Sequence, residues 1–287
     1  MPARTYLFVP GNRPERFAKA LASGADVVVL DLEDAVAVEA KDAARAAIAD
    51  WAAGACAAER RRIAVRVNDA ESAGFADDLR LLREAGLDDV MCPKTESPDQ
   101  IAALRAMLPA ARVLALIESA RGVAGVAAVA ASAGVLRLVF GTLDLALDLD
   151  LDIGDLSDGL SHAASRLAIA SRVAGLAAPV AGVTPQIADT ARLLADLAWS
   201  RRHGLGAKLC IHPNQVAPVH AALAPSAQAL DWARRVLAAE AASPGAAQLD
   251  GRMIDRPVVL QATRTLAGSR ADSRTDSAIR PPAARPR

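Results

Sequence analysis

The sequence has few cysteines and no excess of charge of either sign. Cys56, Cys92 and Cys210 are far apart and form no C-x-x-C pair, so the pattern indicates neither a disulfide framework nor a zinc knuckle. Cys92 and Cys210 fall within apolar, strand-like runs, where each is best interpreted as a small hydrophobic side chain. The formal net charge is zero, which gives no electrostatic indication of nucleic-acid binding.

Long hydrophobic runs and targeting signals are also missing. No apolar run reaches the ~20 residues that a membrane helix needs, and no charged N-terminal segment precedes a long apolar stretch. We therefore expect a cytoplasmic protein that does not bind membranes. Residues 268–287 contain five arginines, two aspartates and few apolar side chains, a composition that predicts a disordered tail.

Eight short apolar runs recur along the chain, separated by Ala-, Leu- and Arg-rich segments with helical spacing. The runs are TYLFVP, DVVVLDL, RIAVRVN, DVMCPK, VLALIES, LRLVFG, PVAGVTP and AKLCIHP. Continuous apolar strands that alternate with helices are typical of a parallel sheet. Eight such units predict an α/β fold of the (β/α)8 TIM-barrel class with a C-terminal extension.

Two alternatives to this fold remain. A barrel of seven or nine strands is possible because PVAGVTP is a weak strand pattern. An open doubly wound sheet is less favoured, since no G-x-G-x-x-G follows the first strand. We expect a barrel over residues 1–222. A helical extension over 223–267 would pack on the barrel or on a neighbouring subunit, and the tail would follow.

Two acids are expected where neighbouring strands of the predicted barrel end, which is where TIM-barrel enzymes place their active sites. Glu118 follows RVLALI, and Asp144 closes LRLVFGTLD. A carboxylate against so much apolar sequence is costly unless a cation or hydrogen bonds compensate it. The favoured interpretation is a Mg²⁺ site, because no His or Cys cluster accompanies the pair. The alternative is an ion pair with Arg121 or Arg66.

Arg66 and the acidic segment DLEDAV form a second group at predicted strand ends. The fork of Arg66 suits a carboxylate or an oxygen that gains negative charge, so we expect it to contact substrate. A structural ion pair with Glu33 or Asp34 is equally consistent with the sequence, and such an acid would then orient the arginine. At least one of Asp31, Glu33 and Asp34 is expected to cap the following turn, and no role beyond positioning water or an arginine is expected for the group.

The remaining polar residues at strand ends are more ambiguous. Lys94 could form a Schiff base, although a charge at the rim is the favoured interpretation. His212 precedes a proline and is expected to be structural rather than a general base. Arg13, Arg16 and Lys19 lie on the first turns of a predicted helix near the mouth, where they could hold phosphates. From spacing alone, a solvated helix face is at least as well supported as phosphate binding.

Several blocks of the sequence resemble the citrate lyase β-subunit family, a branch of the HpcH/HpaI aldolases and CoA-ester lyases. The blocks are YLFVPGNRPERFAKALASGADVVVLDLEDAV, VRVN, PKTES, LIESARGV, FGTLDLALDL and KLCIHPNQV. They extend the similarity from about Arg4 to about Ala267. The resemblance implies a (β/α)8 barrel, a homotrimer or hexamer, Mg²⁺, and cleavage or formation of a C–C bond in a 3-hydroxyacyl thioester.

The resemblance also implies roles for individual residues. Glu118 and Asp144 match the family's metal ligands, with Glu118 also beside the substrate, and Arg66 matches its substrate-binding arginine. Asp255 is similar to an aspartate that family lyases offer from a C-terminal segment to a neighbouring subunit's site. Arg66 and Asp255 are therefore the expected catalytic residues, the arginine stabilising developing charge and the aspartate transferring a proton.

The predicted activity is a Mg²⁺-dependent carbon–carbon lyase acting on a thioester of the citryl-, malyl- or citramalyl-CoA type. Its products would be a keto acid, such as oxaloacetate, and an acyl-CoA. One alternative is a metal-dependent aldolase acting on free 2-keto acids. Another is a subunit of a citrate lyase complex that depends on an acyl carrier.

Overall fold

The structure, a computed structural model, describes residues 2–152, 158–243, 245 and 247–279. These residues belong to two compact units. The first covers Pro2–His220, and the second begins at Ala221. No described helix is both long and apolar enough to cross a membrane.

Eight parallel strands of the first unit close into a barrel in chain order. They are β1 (Thr5–Pro10), β2 (Val27–Asp31), β3 (Ile63–Arg66), β4 (Asp89–Cys92), β5 (Arg112–Ile117), β6 (Val135–Phe140), β7 (Val180–Ala181) and β8 (Ala207–Cys210). Each predicted apolar run supplies one strand, so the predicted TIM barrel is confirmed. The weak pattern PVAGVTP gives the shortest strand, β7, which pairs with Val139 and Ala207 through Val180.

Helices follow the strands and cover the outside of the sheet. They are α1 (Phe17–Ala22), α2 (Lys41–Gly54), α3 (Ala57–Arg60), α4 (Phe75–Ala85), α5 (Pro98–Met107), α6 (Ala120–Ala130), α7 (Thr142–Asp148), α8 (Ser161–Val173), α9 (Thr190–Arg202) and α10 (Val216–Leu223). Amphipathic α4 shows the principle. Its apolar side, including Leu79 and Leu82, is buried, and its last residue precedes Gly86, whose left-handed φ of 65° ends the helix.

The barrel is filled by apolar side chains from every strand. One packed cluster contains Tyr6, Val29, Ala64, Met91, Leu114, Leu116, Val139, Val180, Ala207 and Leu209. A barrel filled in this way has no central channel, so chemistry must use the loops at the carboxyl ends of the strands.

The strand register decides which residues meet at those carboxyl ends. Asp31, the last residue of β2, pairs with Arg66, the last residue of β3. On the next part of the barrel, Ile117 of β5 pairs with Phe140 of β6. The loops that begin at Glu118 and Gly141 therefore start side by side.

The second unit contains α11 (Ala227–Ala242), a two-stranded antiparallel sheet of β9 (Gln248–Leu249) and β10 (Arg252–Met253), and α12 (Arg256–Ile279). A small core holds it together, with side chains from both helices and from residues around the short sheet: Ala233, Val236, Ala247, Ile254 and Ala262. The extension predicted over 223–267 falls in this unit. Its packing on the barrel or on a neighbouring subunit stays a prediction.

The predicted disordered tail, 268–287, differs from the structure in its first part. Helix α12 continues through Ile279. No Pro or Gly interrupts residues 269–279, so nothing in this segment stops a helix that begins before it. Residues 280–287 lie outside the described part of the chain.

Candidate active site at the barrel mouth

Glu118 is a buried carboxylate at the mouth of the barrel. It follows β5 directly and is only 5% exposed. Burial raises its pKa to about 8; the N–H of Lys94 opposes this rise, while the negative charge of Asp144 adds to it. An acid that is both buried and close to a second acid is costly in its ionised form.

Asp144 lies on the neighbouring segment, but on a helix rather than at the end of a strand. Strand β6 ends at Phe140, and Asp144 is in the first turn of α7. The expectation that Asp144 ends a strand was therefore wrong, because the chain turns at Gly141 and α7 begins at Thr142, two residues before Asp144. The side chain is exposed, which leaves it accessible to an ion or a substrate.

Gly141 allows this close approach of the two segments. Its N–H donates a 2.9 Å hydrogen bond to the carbonyl of Ile117. A Cβ at this position would collide with the Cβ of Glu118 and would lie 2.6 Å from its Oε2. Any larger residue would thus displace the buried carboxylate.

The alternative ion pairs predicted for the two acids are not formed in the described residues. Arg66 pairs with Asp31, and Arg121 lies 3.5 Å from Glu96. Neither Glu118 nor Asp144 forms an ion pair with any cationic side chain that the structure describes. The buried carboxyl of Glu118 therefore has no ion-pair partner among the described residues, which is consistent with its raised pKa.

Arg66 is fixed by a bidentate ion pair with Asp31. Its Nε and Nη2 donate to the two oxygens of Asp31 at 2.7 and 2.6 Å. Burial acts to lower the pKa of Arg66, but the hydrogen bonds and charge of Asp31 outweigh it and raise the pKa. The guanidinium also lies over the ring of Phe8, 4.9 Å from its centroid. Arg66 is therefore held in one orientation and stays charged.

The predicted partners of Arg66 are also present, and they connect it to β4. Nη1 of Arg66 lies 2.9 Å from Oε2 of Glu33 and 3.5 Å from Oδ2 of Asp34. Glu33 Oε1 accepts a 3.0 Å hydrogen bond from Nζ of Lys94. Burial raises the pKa of Glu33, although Arg66 and Lys94 oppose the rise. Asp34 is mostly exposed and makes the weakest contact.

The bidentate partner of Arg66 is Asp31, whereas the sequence pattern had indicated Glu33 or Asp34. Oδ1 of Asp31 also accepts from the backbone N–H of Glu33 at 2.9 Å, and its Oδ2 from that of Ala35 at 3.2 Å. It therefore caps the turn and holds Arg66 at once. The signal was the shared strand-end position of Asp31 and Arg66, but only the register shows that these two residues are opposite each other.

The hydrogen bonds of Lys94 and His212 indicate structural roles for both residues. The hydrogen bond to Glu33 raises the pKa of Lys94, and a protonated amine cannot attack a carbonyl, which disfavours a Schiff base. Nδ1 of His212 accepts from the backbone N–H of Asn214 at 3.2 Å. His212 therefore caps the turn that follows β8.

A cavity of about 370 Å³ lies between β1, α1 and the loop after β8. Its lining residues are Leu7, Phe8, Val9, Pro10, Arg16, Lys19, Ala20, Ile211, His212, Pro213 and Asn214. The lining is largely apolar and includes two cationic side chains. Arg13 is not among the lining residues, and its Nε lies 2.6 Å from Oε1 of Glu15.

Asp255 belongs to the second unit, immediately before α12. The side chain is exposed, and its Oδ1 accepts a 3.2 Å hydrogen bond from the N–H of Val258. This contact is typical of a helix N-cap. Asp255 therefore belongs to a different unit from the other predicted site residues. The barrel mouth brings together Arg66, Glu33, Asp34, Glu118 and Asp144.

The donor set of Glu118 and Asp144 fits a hard divalent cation. Both side chains are carboxylates, and the buried one has no ion-pair partner among the described residues. No group of three or more His, Cys, Asp or Glu side chains is arranged to hold a metal in the described ranges. Two carboxylates alone suit Mg²⁺, which usually keeps several waters and accepts substrate oxygens as further ligands.

The chain matches the model of the HpcH/HpaI aldolase/citrate lyase family over residues 4–213. A citrate lyase subunit beta-like protein of Mycobacterium tuberculosis is 38% identical over 266 residues, which cover 91% of this chain and 93% of the relative. A (3S)-malyl-CoA thioesterase of Cereibacter sphaeroides is 31% identical over 283 residues, covering 94% of this chain and 95% of the relative.

Solved structures show the same similarity. Protein CitE from M. tuberculosis, in complex with magnesium, acetoacetate and coenzyme A, superposes with a TM-score of 0.84 at 36% identity. The match covers 93% of this chain and 98% of that one. A citrate lyase beta subunit from the same organism, complexed with oxaloacetate and magnesium, has a TM-score of 0.70 at 35% identity and covers 78% and 97% of the two chains.

Proposed function

The chain belongs to the HpcH/HpaI aldolase/citrate lyase family, and we propose that it is a Mg²⁺-dependent carbon–carbon lyase. Its substrate would be a 3-hydroxyacyl thioester of the citryl-, malyl- or citramalyl-CoA type, and its products a keto acid and an acyl-CoA. The single observation that carries this proposal is the buried carboxyl of Glu118, which lies beside Asp144 and has no ion-pair partner among the described residues.

Glu118 and Asp144 would hold the ion. When bound, Mg²⁺ supplies a Lewis acid that lowers the pKa of a substrate hydroxyl and binds the adjacent carboxylate. The hydroxyl proton would pass to water, the C=O bond of the keto acid would form as the C–C bond breaks, and the bonding electron pair would pass to the thioester as an enolate. The complexes of similar proteins with magnesium and with keto acids support this assignment.

Arg66 would stabilise the negative charge that moves between oxygens during bond cleavage. Asp31 holds it bidentately and Glu33 contacts its third nitrogen, so the guanidinium needs no reorganisation when charge develops. Preorganised donors of this kind are worth about 10²–10³ in rate. Glu33 and Asp34 would act on the substrate only through the position of Arg66.

The cavity beside β1 would take part of the CoA moiety. Its apolar lining suits a flat or aliphatic ligand surface, and Arg16 and Lys19 could pair with phosphates. Coenzyme A is present in a structure of a similar protein. Arg13 would contribute only through the general positive charge near this cavity.

Asp255 would exchange a proton with the departing carbon, so that the thioester enolate becomes the acyl-CoA. Because Asp255 is similar to an aspartate that family lyases offer to a neighbouring subunit, it would act in the site of such a subunit, and the protein would then be a homo-oligomer, a trimer or a hexamer. Both this assembly and the cytoplasmic location remain proposals.

Thioesterase activity should be assayed beside lyase activity, because one relative is a (3S)-malyl-CoA thioesterase. The purified chain should be incubated with citryl-, malyl- and citramalyl-CoA and Mg²⁺, and separately with free 2-keto acids. A lyase releases a keto acid and no free CoA, whereas a thioesterase releases free CoA and a hydroxy acid. Activity on free acids alone would favour the aldolase. Activity only with an acyl-carrier protein would favour a complex subunit.

The metal assignment is tested by Glu118→Ala and Asp144→Ala in the same assay. Both variants should lose activity at saturating Mg²⁺, while Glu84→Ala, which replaces an exposed acid of α4, should retain it. Full activity in either site variant would overturn the metal role.

A further inference from the structure

One more side chain connects the two segments that carry the metal ligands. Oδ2 of Asp148 accepts a hydrogen bond from the backbone N–H of Ala120, with a distance of 2.6 Å between the two atoms. Ala120 is the first residue of α6 and comes two residues after Glu118. Asp148 is the last residue of α7, the helix whose first turn contains Asp144.

Asp144 and Asp148 share one face of α7. They are four residues apart, and side chains with that spacing lie one above the other on a helix. Because Asp148 reaches the residue that begins α6, this face of the helix is turned toward the segment that contains Glu118.

The start of α7 is attached to the same segment. The N–H of Gly141 donates to the carbonyl of Ile117 at 2.9 Å, and Gly141 itself packs against Glu118. Contacts to residues 117–120 therefore lie on both sides of Asp144 in the sequence. The position of Asp144 relative to Glu118 depends on these contacts.

The N–H of Ala120 is one of the donors that a helix leaves without an internal partner. Ser119 already accepts the N–H of Gly122 as the N-cap of α6. A carboxylate at a helix N-terminus is further stabilised by the helix dipole. Asp148 therefore satisfies one particular backbone donor at the start of α6.

We propose that Asp148 is a positioning residue for the metal pair. By holding α7 against the start of α6, it sets the separation between the carboxylates of Glu118 and Asp144. Mg²⁺ demands near-ideal octahedral geometry at about 2.0–2.1 Å, so a small displacement of one ligand weakens binding. This inference rests on the proposed function, because it concerns the same ion.

The test compares Asp148→Ala with Asp148→Asn in the full, metal-free chain. The asparagine keeps an oxygen that can accept from Ala120, whereas the alanine does not. Asp148 is exposed, so neither change should prevent folding. Asp50→Ala, which replaces an exposed aspartate of α2, controls for the loss of one negative charge elsewhere on the barrel.

Two readouts are needed: the Kd for Mg²⁺ from calorimetry, and hydrogen exchange at the Ala120 amide without metal. Asp148→Ala should weaken Mg²⁺ binding about three- to tenfold, the effect of losing one hydrogen bond, and should speed exchange at Ala120. Asp148→Asn and Asp50→Ala should bind Mg²⁺ within about twofold of the wild-type chain.

An unchanged Kd in Asp148→Ala would overturn the inference, even if the melting temperature falls, since Asp148 would then be only a helix cap. Equal weakening in Asp148→Asn and Asp148→Ala would also overturn it, because charge rather than the hydrogen bond would be responsible. These results differ from failure of the proposed function, in which the wild-type chain itself does not bind Mg²⁺.

Discussion

The backbone N–H of Lys94 donates a 2.7 Å hydrogen bond to Oε1 of Glu118, and Lys94 adopts a left-handed φ of 46°. A residue with a Cβ pays a conformational penalty in this region. The carbonyl of Lys94 accepts from Nε2 of Gln100 at 3.1 Å, which helps to hold the turn. Local strain at the end of β4 therefore accompanies the orientation of the buried carboxylate.

Replacement of Lys94 separates this backbone effect from its side chain. Lys94→Gly should be more stable than Lys94→Ala by about 0.5 kcal/mol, because glycine adopts positive φ without a Cβ penalty, although it also loses more chain entropy. Both variants lose the ion pair with Glu33, so their difference reports the backbone alone. Urea unfolding measures it, and a more stable alanine variant would show that the left-handed conformation is not strained.

The raised pKa of Glu118 predicts how stability depends on pH without metal. The folded pKa is about 8 and the ordinary value 4.5, so the folded chain binds more protons at this site than the unfolded chain between those limits. Stability should therefore fall as the pH rises through this window.

Glu118→Gln removes that dependence. With a chelator present, the variant should be more stable than the wild-type chain at pH 8 by at least about 1 kcal/mol, and the difference should shrink toward pH 4.5, where the wild-type acid is protonated. Unfolding in urea at the two pH values provides the measurement. An equal difference at both values would show that Glu118 is not buried in a costly ionised form.

Mg²⁺ binding should release a proton from the same residue. At pH 7 the carboxyl of Glu118 is mostly protonated, and a ligand to the ion must be ionised, so close to one proton should leave per Mg²⁺ bound. Calorimetry in two buffers with different ionisation enthalpies counts that proton. The release should disappear above pH 9; heats that do not depend on the buffer at pH 7 would contradict the assignment.

The bidentate fork of Arg66 should be essential to catalysis. Arg66→Lys keeps the charge but cannot donate to both oxygens of Asp31 in one plane, so we expect kcat/KM to fall about 10²-fold. Arg80→Lys, at an exposed arginine of α4 paired with Asp77, is the matched control and should be unaffected. Steady-state kinetics on the preferred thioester measures kcat/KM for both variants and the wild-type chain. If Arg66→Lys is as active as the wild-type chain, any cation at residue 66 suffices.

The strand pattern was sufficient to predict the barrel, because buried parallel strands leave continuous apolar runs. It was also sufficient to place Glu118, which directly follows one such run. It did not fix the element that carries Asp144, since GTLDLALD is compatible with a longer strand end or a helix. In the structure, a helix begins directly after Gly141 and contains Asp144.

Contacts between residues far apart in the chain could not be predicted from the sequence pattern. The pairing of Asp31 with Arg66 depends on the register of β2 and β3, and no local pattern specifies that register. The hydrogen bond from Ala120 to Asp148 similarly joins residues 28 positions apart, and only the tertiary structure brings the end of α7 to the start of α6. Local patterns therefore predicted which residues reach the mouth, and tertiary contacts decide which of them meet.

Calorimetric titration of Mg²⁺ into the metal-free chain tests the central claim most directly. The wild-type chain should bind one ion per subunit at pH 7.5, while Glu118→Ala and Asp144→Ala should bind it at least about 10-fold more weakly. Binding of equal strength in all three proteins, or none in the wild-type chain, would contradict the assignment of a metal to Glu118 and Asp144.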